Sequence, residues 1–511
     1  MNVLFVYPNA DSQVGFNYGV ASLAAVLREA GHEVSLINLN DKLAPMPGDD
    51  EFVESVRDSG ADAVGFSLVT TQYRLGERLA RLVKEKLGLP TFAGGVHVSM
   101  VPQEVLASGA FDYAVVGEAD EIIVPFIERL ERGEDAVGIP GVRALRDGTV
   151  AGNPVAPFPG ISKLPRKVYD IFNFQHMIDT LNGWVGLMAS RGCPFRCTYC
   201  FNHEIVARYS DETGLPPAKL NYIRHVPVES LLDEIAFLLE NYERIKMFLF
   251  DDDLFTFKRE YVESFCEGYV KRGFGIPFVV NAHVRHFSPE VASALKEAGC
   301  AIVKFGLESG NERVRKEVLN RPMSNERIEK AFAVAHEHDL HTSAFLMIGL
   351  PTETREELLD TVRLLGRIRP GRFRWSVFYP FPGTRAAEIA QKAGQIDEEK
   401  LGSITNFFSE SALDFGEEQN LLIEKLNAAF QWFVMAETDL PAGSVYREKT
   451  EPFLKTSRAD FEHMQPLLEK ADAELSKRMI EQELEHYAIK YNRFMGVNSK
   501  YFLAEAEQVL E

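Results

Sequence analysis

Short apolar runs alternate with longer amphipathic stretches over roughly the first 135 residues. An apolar run between turn residues is typical of a buried strand, and apolar residues spaced by three and four are typical of a helix. We predict this order: strand Val3–Tyr7, helix Ala21–Ala30, strand Glu33–Asn38, strand Ala63–Leu68, helix Leu75–Leu87, strand Thr91–Ala93 and strand Asp112–Val116. Strands separated by helices favour an α/β fold with a Rossmann-like, doubly wound parallel sheet.

The loops after these predicted strands carry small and polar residues: Pro8–Tyr18, Ser67–Tyr73, Gly94–Ser99 and Gly117–Glu121. Ligands of parallel sheets bind at the carboxyl ends of the strands, and glycine lets the backbone approach a ligand closely. No Gly-x-Gly-x-x-Gly motif follows the first strand, so a nicotinamide cofactor is poorly supported. From residue types alone, an ordinary flavodoxin-like domain with glycine-rich turns is the simpler interpretation.

Prolines and glycines are frequent in residues 136–182, which we interpret as a linker between two domains. Proline fixes φ and removes a backbone donor, so extended backbone is expected. One hairpin is predicted, with strands Val142–Leu145 and Thr149–Ala151 around the turn Asp147-Gly148.

Residues 183–390 repeat a strand-then-helix unit. The predicted strands are Trp184–Ala189, Met247–Phe250, Phe278–Asn281, Ala301–Phe305, Ser343–Ile348 and Phe373–Tyr379. The predicted helices are Pro227–Leu239, Tyr261–Lys271, Pro289–Glu297, Asn325–Glu337 and Arg355–Ile368. Six such units favour a partial (β/α)6 TIM-type barrel, whose chemistry lies at the carboxyl ends of its strands.

Helical spacing of apolar residues continues through residues 391–511, so we predict a C-terminal helical domain that caps the barrel. Leu422, Leu426 and Phe433 belong to one such helix, and two more are expected over Arg458–Met479 and Glu481–Phe494. No metal-ligand or nucleophile pattern occurs here. Aromatic residues of this segment are candidates for a substrate pocket, namely Phe407, Phe408 and Trp432.

Composition narrows the functional classes. The chain has 511 residues, which is too long for one core, and a formal net charge of −20. That charge disfavours a nucleic-acid partner, which needs a basic surface. No apolar run is long enough to span a membrane, and no secretory signal precedes the first strand, so a cytoplasmic location is expected. Five cysteines exclude a disulfide framework.

The most specific motif is Cys193-x3-Cys197-x2-Cys200, directly after the first predicted barrel strand. Three thiolates at this spacing can ligate three irons of a [4Fe–4S] cluster and leave the fourth iron open for a ligand. The alternatives are a structural zinc site or three unrelated buried thiols. Zinc usually takes two close pairs of ligands, and no second Cys-x2-Cys is present. His203 lies too near in sequence to complete that pattern.

Polar residues also follow the later barrel strands. Asp251-Asp252-Asp253 follows the second strand, and a solvated helix start is the alternative reading of that acidic run. Arg285 follows the third strand and is almost equally suited to a surface ion pair. Glu308 lies between Gly306 and Gly310 after the fourth strand, and a carboxylate between glycines is unsuited to a hydrophobic core.

The cysteine motif, with its Gly192-Cys193-Pro194 lead-in and Tyr199, resembles that of the radical S-adenosylmethionine (radical SAM) enzymes. The resemblance implies that Cys193, Cys197 and Cys200 hold a [4Fe–4S] cluster whose open iron binds S-adenosylmethionine. It further implies contacts to S-adenosylmethionine from residues at the strand ends: Asp252, Asp253, Arg285, Glu308, Ile348, Gly349 and Phe201.

The loops of the first 135 residues, placed ahead of that motif, resemble the cobalamin (B12)-binding domain of cobalamin-dependent radical SAM enzymes. The residues implied as cobalamin contacts are Ser67, Thr70, Thr71, Gly94, Gly95, His97, Gly117 and Glu118. The Asp-x-His-x-x-Gly motif that supplies a cobalt ligand in many cobalamin proteins is absent, so the lower ligand of cobalt is left open. The implied domains are residues 1–135 for cobalamin, 136–182 as linker, 183–390 as radical SAM barrel and 391–511 as cap.

This resemblance implies a methyltransferase that acts on an unactivated carbon of a small molecule, a natural-product intermediate or a peptide. A 5'-deoxyadenosyl radical would abstract hydrogen, methylcobalamin would donate the methyl group, and a flavodoxin- or ferredoxin-type protein would supply electrons. One alternative is an oxidative cyclase or ring-rearranging enzyme that transfers no methyl group. Another is an inactive cobalamin-binding sensor. No residue of the chain is assigned to acid–base or nucleophilic catalysis.

Overall fold

A computed structural model describes residues 1–404, 410–488 and 493–495. The chain folds as two compact units. The first comprises residues 1–196, 200–253 and 381–384, and the second comprises 197–199, 254–380 and the chain from 385 onward. The domain boundaries predicted from the sequence stay a prediction.

A seven-stranded sheet with the order β2-β1-β3-β4-β5-β6-β7 forms the core of the first unit. Its strands are β1 (Asn2–Pro8), β2 (Glu33–Leu39), β3 (Ala63–Ser67), β4 (Thr91–Gly94), β5 (Tyr113–Val115), β6 (Val142–Arg146) and β7 (Thr149–Gly152). Strands β1 to β5 pair in parallel, whereas β6 is antiparallel to both β5 and β7. The predicted parallel sheet is confirmed, and the hairpin predicted in the linker extends it.

Burial explains why this sheet forms. Val3, Leu4 and Val6 of β1 are almost fully buried, as expected for a strand covered by helices on both faces. The helices are α1 (Tyr18–Glu29), α2 (Asp49–Asp58), α3 (Tyr73–Leu87), α4 (Val96–Met100), α5 (Pro102–Ala107) and α6 (Ile123–Glu131). The sequence analysis did not predict α2, α4, α5 or α6.

The rest of the first unit contains α7 (Phe174–Thr180), β8 (Trp184–Leu187), β9 (Ser190–Arg191), α8 (Phe201–Thr213), β10 (Arg224–His225), α9 (Val228–Asn241) and β11 (Met247–Phe250). β8 and β11, the first two predicted barrel strands, pair in parallel. β9 and β10 pair antiparallel. The cysteine loop therefore runs from β9 to α8.

The second unit contains the other four predicted barrel strands. They are β12 (Phe278–Ala282), β13 (Cys300–Glu308), β14 (His341–Ile348) and β15 (Arg372–Val377), and they pair in parallel in that order. Their helices are α10 (Arg259–Arg272), α11 (Pro289–Glu297), α12 (Asn325–Glu337) and α13 (Arg355–Ile368). The predicted α/β class with a strand–helix repeat is confirmed.

The C-terminal part of the second unit is mainly helical, as predicted. It contains α14 (Arg385–Lys392), α15 (Glu398–Ser403), α16 (Glu417–Ala436), α17 (Gly443–Leu454), α18 (Arg458–Met464) and α19 (Leu468–Glu481). The helix predicted over Glu481–Phe494 is wrong, because strands β16 (His486–Ala488) and β17 (Arg493–Met495) lie there. Trp432 is buried and donates to Asp472 Oδ1 at 2.8 Å, whereas Phe407 and Phe408 lie outside the described residues.

No helix in the described part of the chain has both the length and the apolar character needed to cross a bilayer.

Candidate functional site

A cavity of about 420 Å³ lies in the first unit at the carboxyl edge of its sheet. Five of the predicted cobalamin contacts line it, namely Ser67, Gly94, Gly95, Gly117 and Glu118. Phe201 and Asp253, two predicted contacts of S-adenosylmethionine, line the same cavity. Thr70, Thr71 and His97 do not line it. The structure therefore brings residues from the two predicted cofactor sets together around one space.

Two glycines allow the cavity wall to close tightly. Gly95 has φ +101°, and a Cβ there would lie 2.6 Å from the carbonyl oxygen of Leu68. Gly117 has φ +85°, and a Cβ there would lie 2.0 Å from the hydroxyl of Tyr209. Tyr209 instead accepts a hydrogen bond from the Glu118 amide at 2.9 Å. Only glycine fits these positions, because both the backbone conformation and the space exclude a side chain.

The inner wall of this cavity is apolar and aromatic, with Phe5, Phe66 and Phe92. Such a wall suits a flat, largely apolar group. A corrinoid is larger than the cavity, so these residues fit part of the cofactor. The apolar wall and the glycines at the strand ends fit one edge of cobalamin.

Replacement of Gly94 tests that fit. A Cβ at Gly94 would meet only Val115 O, at 3.9 Å, so a leucine side chain has room to enter the cavity without disturbing the fold. We expect Gly94→Leu to fold normally and to retain cobalamin at least about tenfold less tightly. The measurement is cobalamin per chain after anaerobic reconstitution and gel filtration. Gly160→Leu is the control, since nothing lies within 4 Å of a Cβ there. Equal retention by both variants would contradict the assignment.

His97 has a structural environment. Its Nδ1 lies 3.2 Å from Thr70 Oγ1, and its ring packs 4.4 Å from the ring of Tyr73. Burial lowers the pKa of His97 to about 4, so the imidazole is neutral at pH 7. Its Nε2 is buried with no hydrogen-bond partner among the described residues. The predicted contacts of His97, Thr70 and Thr71 with cobalamin stay predictions.

A buried ionic network joins the Gly117–Asp120 loop to the start of the cysteine loop. Arg191 Nη1 donates to Glu118 Oε2 at 2.8 Å and to Asp120 Oδ2 at 2.6 Å. Arg224 Nη2 donates to Glu118 Oε1 at 2.5 Å, and Ser22 Oγ donates to Asp120 Oδ1 at 2.6 Å. Burial alone would raise the pKa of Asp120, but the hydrogen bonds from Arg191 and Ser22 lower it below its usual range. The carboxylate of Asp120 is therefore ionised at pH 7.

The three aspartates after β11 have different environments. Asp252 is fully buried, and its carboxylate accepts hydrogen bonds from the Ala189 amide at 3.0 Å and from the Ser190 hydroxyl. Burial raises the pKa of Asp252 to about 7. Asp252 thus fixes the residues that precede the cysteine loop, and its predicted contact with S-adenosylmethionine stays a prediction.

Asp251 and Asp253 line the cavity. Asp251 Oδ2 accepts a hydrogen bond from the Tyr18 hydroxyl at 2.6 Å. Burial raises the pKa of Asp253, and a hydrogen bond with Asn202 offsets part of that effect. Of the two predicted aspartates, Asp253 lines the cavity and Asp252 does not.

The cysteine loop provides three cysteine thiols, and none of the three is part of a disulfide. Cys197 is buried, and Cys193 and Cys200 are half-buried. No three His, Cys, Asp or Glu side chains of the described residues converge on one metal ion. Convergence is not required by a [4Fe–4S] cluster, whose thiolates bind separate irons at separate corners of a cube. The donor set, three thiols in one short loop, fits such a cluster.

Tyr222 lies beside this loop in the first unit. Its carbonyl oxygen would be 2.4 Å from a Cβ at Gly192, and its hydroxyl donates to Asn202 Oδ1 at 2.7 Å. Burial, and then the charges of Asp253 and Cys200, raise the pKa of the Tyr222 phenol well above its usual value. The phenol therefore stays neutral next to the cluster thiolates.

Residues Cys197–Tyr199 belong to the second unit, where backbone contacts hold them. The Thr198 hydroxyl donates to Val318 O at 2.6 Å, and the Thr198 amide donates to Leu319 O at 3.0 Å. Val314–Val318 forms a π-helical turn, a feature that is frequent at functional sites.

Arg321 is the cation beside Cys197. Its Nη1 donates to Cys197 Sγ at 3.4 Å, its Nη2 donates to Gly306 O at 2.9 Å, and its Nε lies 4.0 Å from Glu308 Oε1. Glu308 itself has φ +67°, a backbone conformation that is unfavourable for residues other than glycine. Burial raises the pKa of Glu308, while Arg321 and Tyr199 counteract that shift. Arg321, Glu308 and Cys197 therefore form one polar cluster at the end of β13.

The remaining predicted contacts lie in the second unit. Arg285 is exposed and donates to Pro322 O. Ile348 O accepts a hydrogen bond from the Phe378 amide at 2.9 Å, and the Gly349 amide donates to Glu353 Oε2 at 3.1 Å. The predicted roles of Arg285, Ile348 and Gly349 stay predictions.

Comparison with known proteins identifies the family. The sequence model of the Radical SAM superfamily matches residues 187–365, and that of the B12 binding domain matches residues 11–126. Together these segments cover more than half of the chain. The chain is a cobalamin-dependent radical SAM enzyme. The predicted cofactors, a [4Fe–4S] cluster, S-adenosylmethionine and cobalamin, are those of this family.

Individual relatives agree with this assignment. An uncharacterised methyltransferase of Pyrococcus horikoshii is 27% identical over 402 residues, which are 76% of this chain and 83% of the relative. The anaerobic magnesium-protoporphyrin IX monomethyl ester cyclase of Rubrivivax gelatinosus is 24% identical over 461 residues, 85% of this chain and 78% of the relative. The solved structure of the radical SAM methyltransferase TsrM from Kitasatospora setae, with cobalamin and [4Fe–4S] cluster bound, superimposes with a TM-score of 0.62 at 18% identity. That match covers 76% of this chain and 78% of TsrM and shows a shared fold.

Sequence reasoning missed Arg191, Arg224, Arg321 and Tyr222. Arg191 offered a signal, because it stands two residues before Cys193. The other three come from distant parts of the chain, and no local pattern marks them.

Proposed function

We propose that this radical SAM enzyme is a methyltransferase that methylates an unactivated carbon of a small molecule, a natural-product intermediate or a peptide. The cavity of the first unit carries this proposal. Its wall combines loops of the B12-binding segment with Ser190, Arg191 and Gly192 before the cysteines and Phe201 and Asn202 after them. The methyltransferase of P. horikoshii supports methyl transfer as the outcome.

When bound, the cluster and S-adenosylmethionine supply a hydrogen-abstracting radical, and cobalamin supplies a methyl group. The chain binds and orients these groups. We assign Asp253 to the amino group of S-adenosylmethionine because it is an acidic residue that lines the cavity. We assign Arg321 to the carboxylate of the same molecule, since it is a buried cation in contact with a cluster cysteine. Glu308 is assigned to the ribose hydroxyls or the amino group.

Arg321 takes the place that the sequence analysis gave to Arg285. A guanidinium at the surface is screened by water, whereas a buried one binds a carboxylate strongly. The side chain of Arg321 is 10% exposed, and Gly306 O and Glu308 orient it.

The partners follow from the chemistry. The cluster needs one electron at a time, and we propose a flavodoxin- or ferredoxin-type donor. We also propose a cytoplasmic location, because free thiols persist in a reducing compartment. The net charge of −20 supports a substrate other than nucleic acid.

A second candidate function is oxidative cyclisation without methyl transfer. The relative from R. gelatinosus supports it, because that protein is named as a cyclase and matches 85% of this chain. The two candidates differ in what happens to S-adenosylmethionine. Methyl transfer consumes two molecules per turnover and releases both S-adenosylhomocysteine and 5'-deoxyadenosine, whereas cyclisation releases 5'-deoxyadenosine alone.

Product balance tests the proposal. Reconstituted protein is incubated with reductant, candidate substrates and S-adenosylmethionine labelled in its methyl group, and both adenosyl products are quantified. We expect a roughly equal yield of the two products and one labelled methyl group per product molecule. Cys197→Ala is the control for cluster-dependent turnover. Substrate turnover with 5'-deoxyadenosine but no label in the product would contradict methyl transfer and support the cyclase.

A further inference from the structure

The sheet of the second unit has two different faces. On one face, the ring centroid of Phe305 in β13 lies 5.0 Å from that of Phe332 in α12. On the same face, the ring centroid of Phe373 in β15 lies 5.8 Å from that of Phe430 in α16, so helices cover this face. Because side chains alternate along a strand, the residues between these belong to the opposite face. We call that the inner face, and its residues are Lys304, Gly306, Ser343, Phe345, Met347, Arg372, Arg374 and Ser376. The Glu308 carboxylate lies on the same face, because its Oε1 would be 2.5 Å from a Cβ at Gly306.

Strand register places the inner-face residues in rows. Gly306 pairs with Phe345 and Phe345 with Arg374, so these three form one row across β13, β14 and β15. Lys304, Ser343 and Arg372 form the adjacent row, on the side away from the carboxyl ends of the strands. Lys304 Nζ lies 5.8 Å from the centroid of the Phe345 ring. The two rows therefore bring three basic residues, Lys304, Arg372 and Arg374, to strand positions next to Phe345.

This positive charge contrasts with the rest of the chain, whose net charge is −20. Lys304, Arg372 and Arg374 are all half-buried. Glu308 at the carboxyl end of β13 adds a carboxylate to this face, and this carboxylate contacts Arg321. In a half-buried site, like charges repel more strongly than in water, so a face of this kind favours an anionic ligand.

Arg374 is the most informative of the three cations. Burial lowers the pKa of its guanidinium, and no carboxylate counteracts that effect. Among the residues that the structure describes, none forms a hydrogen bond or an ion pair with the Arg374 side chain. A half-buried guanidinium normally pairs with a carboxylate or a phosphate. The described residues therefore leave this guanidinium available to a ligand.

We propose that the inner face binds an oxyanion of the substrate, a carboxylate or a phosphate or phosphonate group, with Arg374 as its principal donor. This proposal rests on the proposed function and narrows its substrate class to organic anions. The apolar part of the substrate lies against Phe345 and Met347, and Lys304 and Arg372 add positive charge. Arg374 is then a residue that determines substrate specificity.

The carboxylate of S-adenosylmethionine is a separate ligand. Its assigned partner, Arg321, contacts Cys197 near the carboxyl end of β13. Arg374 pairs in register with Phe345, three residues before the end of β14. Arg321 donates to Gly306 O in the same row as Phe345, but β14 separates β13 from Arg374 on β15, so we assign the two arginines to different anions.

Binding of small probes to the reconstituted full-length protein, with S-adenosylmethionine present, tests the proposal. Isothermal titration calorimetry compares benzoate, phenylphosphonate and the neutral isostere benzamide. We expect saturable binding of at least one anion, weakened about tenfold or more by Arg374→Gln and retained in part by Arg374→Lys. Preference for benzoate identifies a carboxylate site, and preference for phenylphosphonate identifies a phosphate-type site.

Arg327→Gln is the matched control, because Arg327 is an exposed arginine on α12 of the same unit. Anion binding that is equal in wild type and Arg374→Gln, equal binding of benzamide, or no binding of either anion would each overturn the proposal. Iron and cobalamin content of Arg374→Gln should match wild type. Methyl transfer is measured in a separate assay. If anion binding is intact but no methyl group is transferred, the result contradicts the proposed function and not the anion site.

Discussion

Cys197→Ala is expected to abolish iron binding and S-adenosylmethionine cleavage while cobalamin binding persists. A [4Fe–4S] cluster with three protein ligands does not tolerate the loss of one, because no other thiolate is available. Cys266 and Cys300 cannot replace it. Burial raises the pKa of Cys266 to about 12 and also raises that of Cys300, so both thiols stay protonated at pH 7. Iron and sulfide per chain, measured after anaerobic reconstitution, check this expectation.

Cys266→Ala is the control for that experiment. Cys266 is 4% exposed within α10, so its replacement removes a buried thiol of the same unit without touching the cysteine loop. We expect a small loss of stability, about 1 kcal/mol, and unchanged iron content. Full iron content in Cys197→Ala, or equal loss in both variants, would contradict the role of Cys197.

The strands of both units were predictable because they are short apolar runs between turn residues. Val3–Tyr7 and Met247–Phe250 satisfy this rule, and the structure has strands at both places. Parallel strands buried on both faces need continuous apolar residues, so the signal is local and strong. The cysteine motif was equally local, because its ligands lie within eight residues of one another.

Features that depend on distant residues were not predictable. Whether Asp252 faces a ligand or the backbone of Ala189 depends on its side-chain rotamer and on which strand lies beside it. Neither can be inferred from the amino-acid sequence. Arg321 contacts Cys197 across 124 positions of the chain. The strands β16 and β17 occupy a segment whose apolar spacing resembled a helix, so tertiary pairing overrode the local pattern there.

Arg191→Met is expected to destabilise the Gly117–Asp120 loop by about 3 kcal/mol at pH 7. The substitution removes the cation but leaves the buried carboxylate of Asp120, whose side chain is 4% exposed. Hydrogen exchange of peptides covering residues 113–130 measures the free energy of local opening, which suits a chain of two units better than global unfolding. Arg244→Met is the control, since its ion pair with Asp179 is exposed and should matter little.

The pH dependence of the stability loss in Arg191→Met distinguishes a charge effect from a packing effect. In wild type the pKa of Asp120 is lowered in the folded protein, so the carboxylate stabilises the fold above its unfolded pKa of about 4 and this contribution is lost as pH falls through the folded value. Without Arg191, burial dominates and the folded pKa lies above the unfolded one. The free energy of local opening of Arg191→Met then decreases as pH rises from the unfolded pKa of Asp120 to its folded pKa. The difference in this free energy between wild type and Arg191→Met is therefore largest near pH 7 and becomes smaller toward pH 4.

The double variant Arg191→Met/Asp120→Asn completes the test. Asparagine keeps the shape of Asp120 and removes its charge, so the uncompensated carboxylate disappears. We expect the double variant to be more stable than Arg191→Met alone at pH 7, with a coupling energy of about 1–3 kcal/mol. Additive losses that are independent of pH would show that Arg191 acts through packing, and the ionic link between the Gly117–Asp120 loop and the cysteine loop would then have no energetic role.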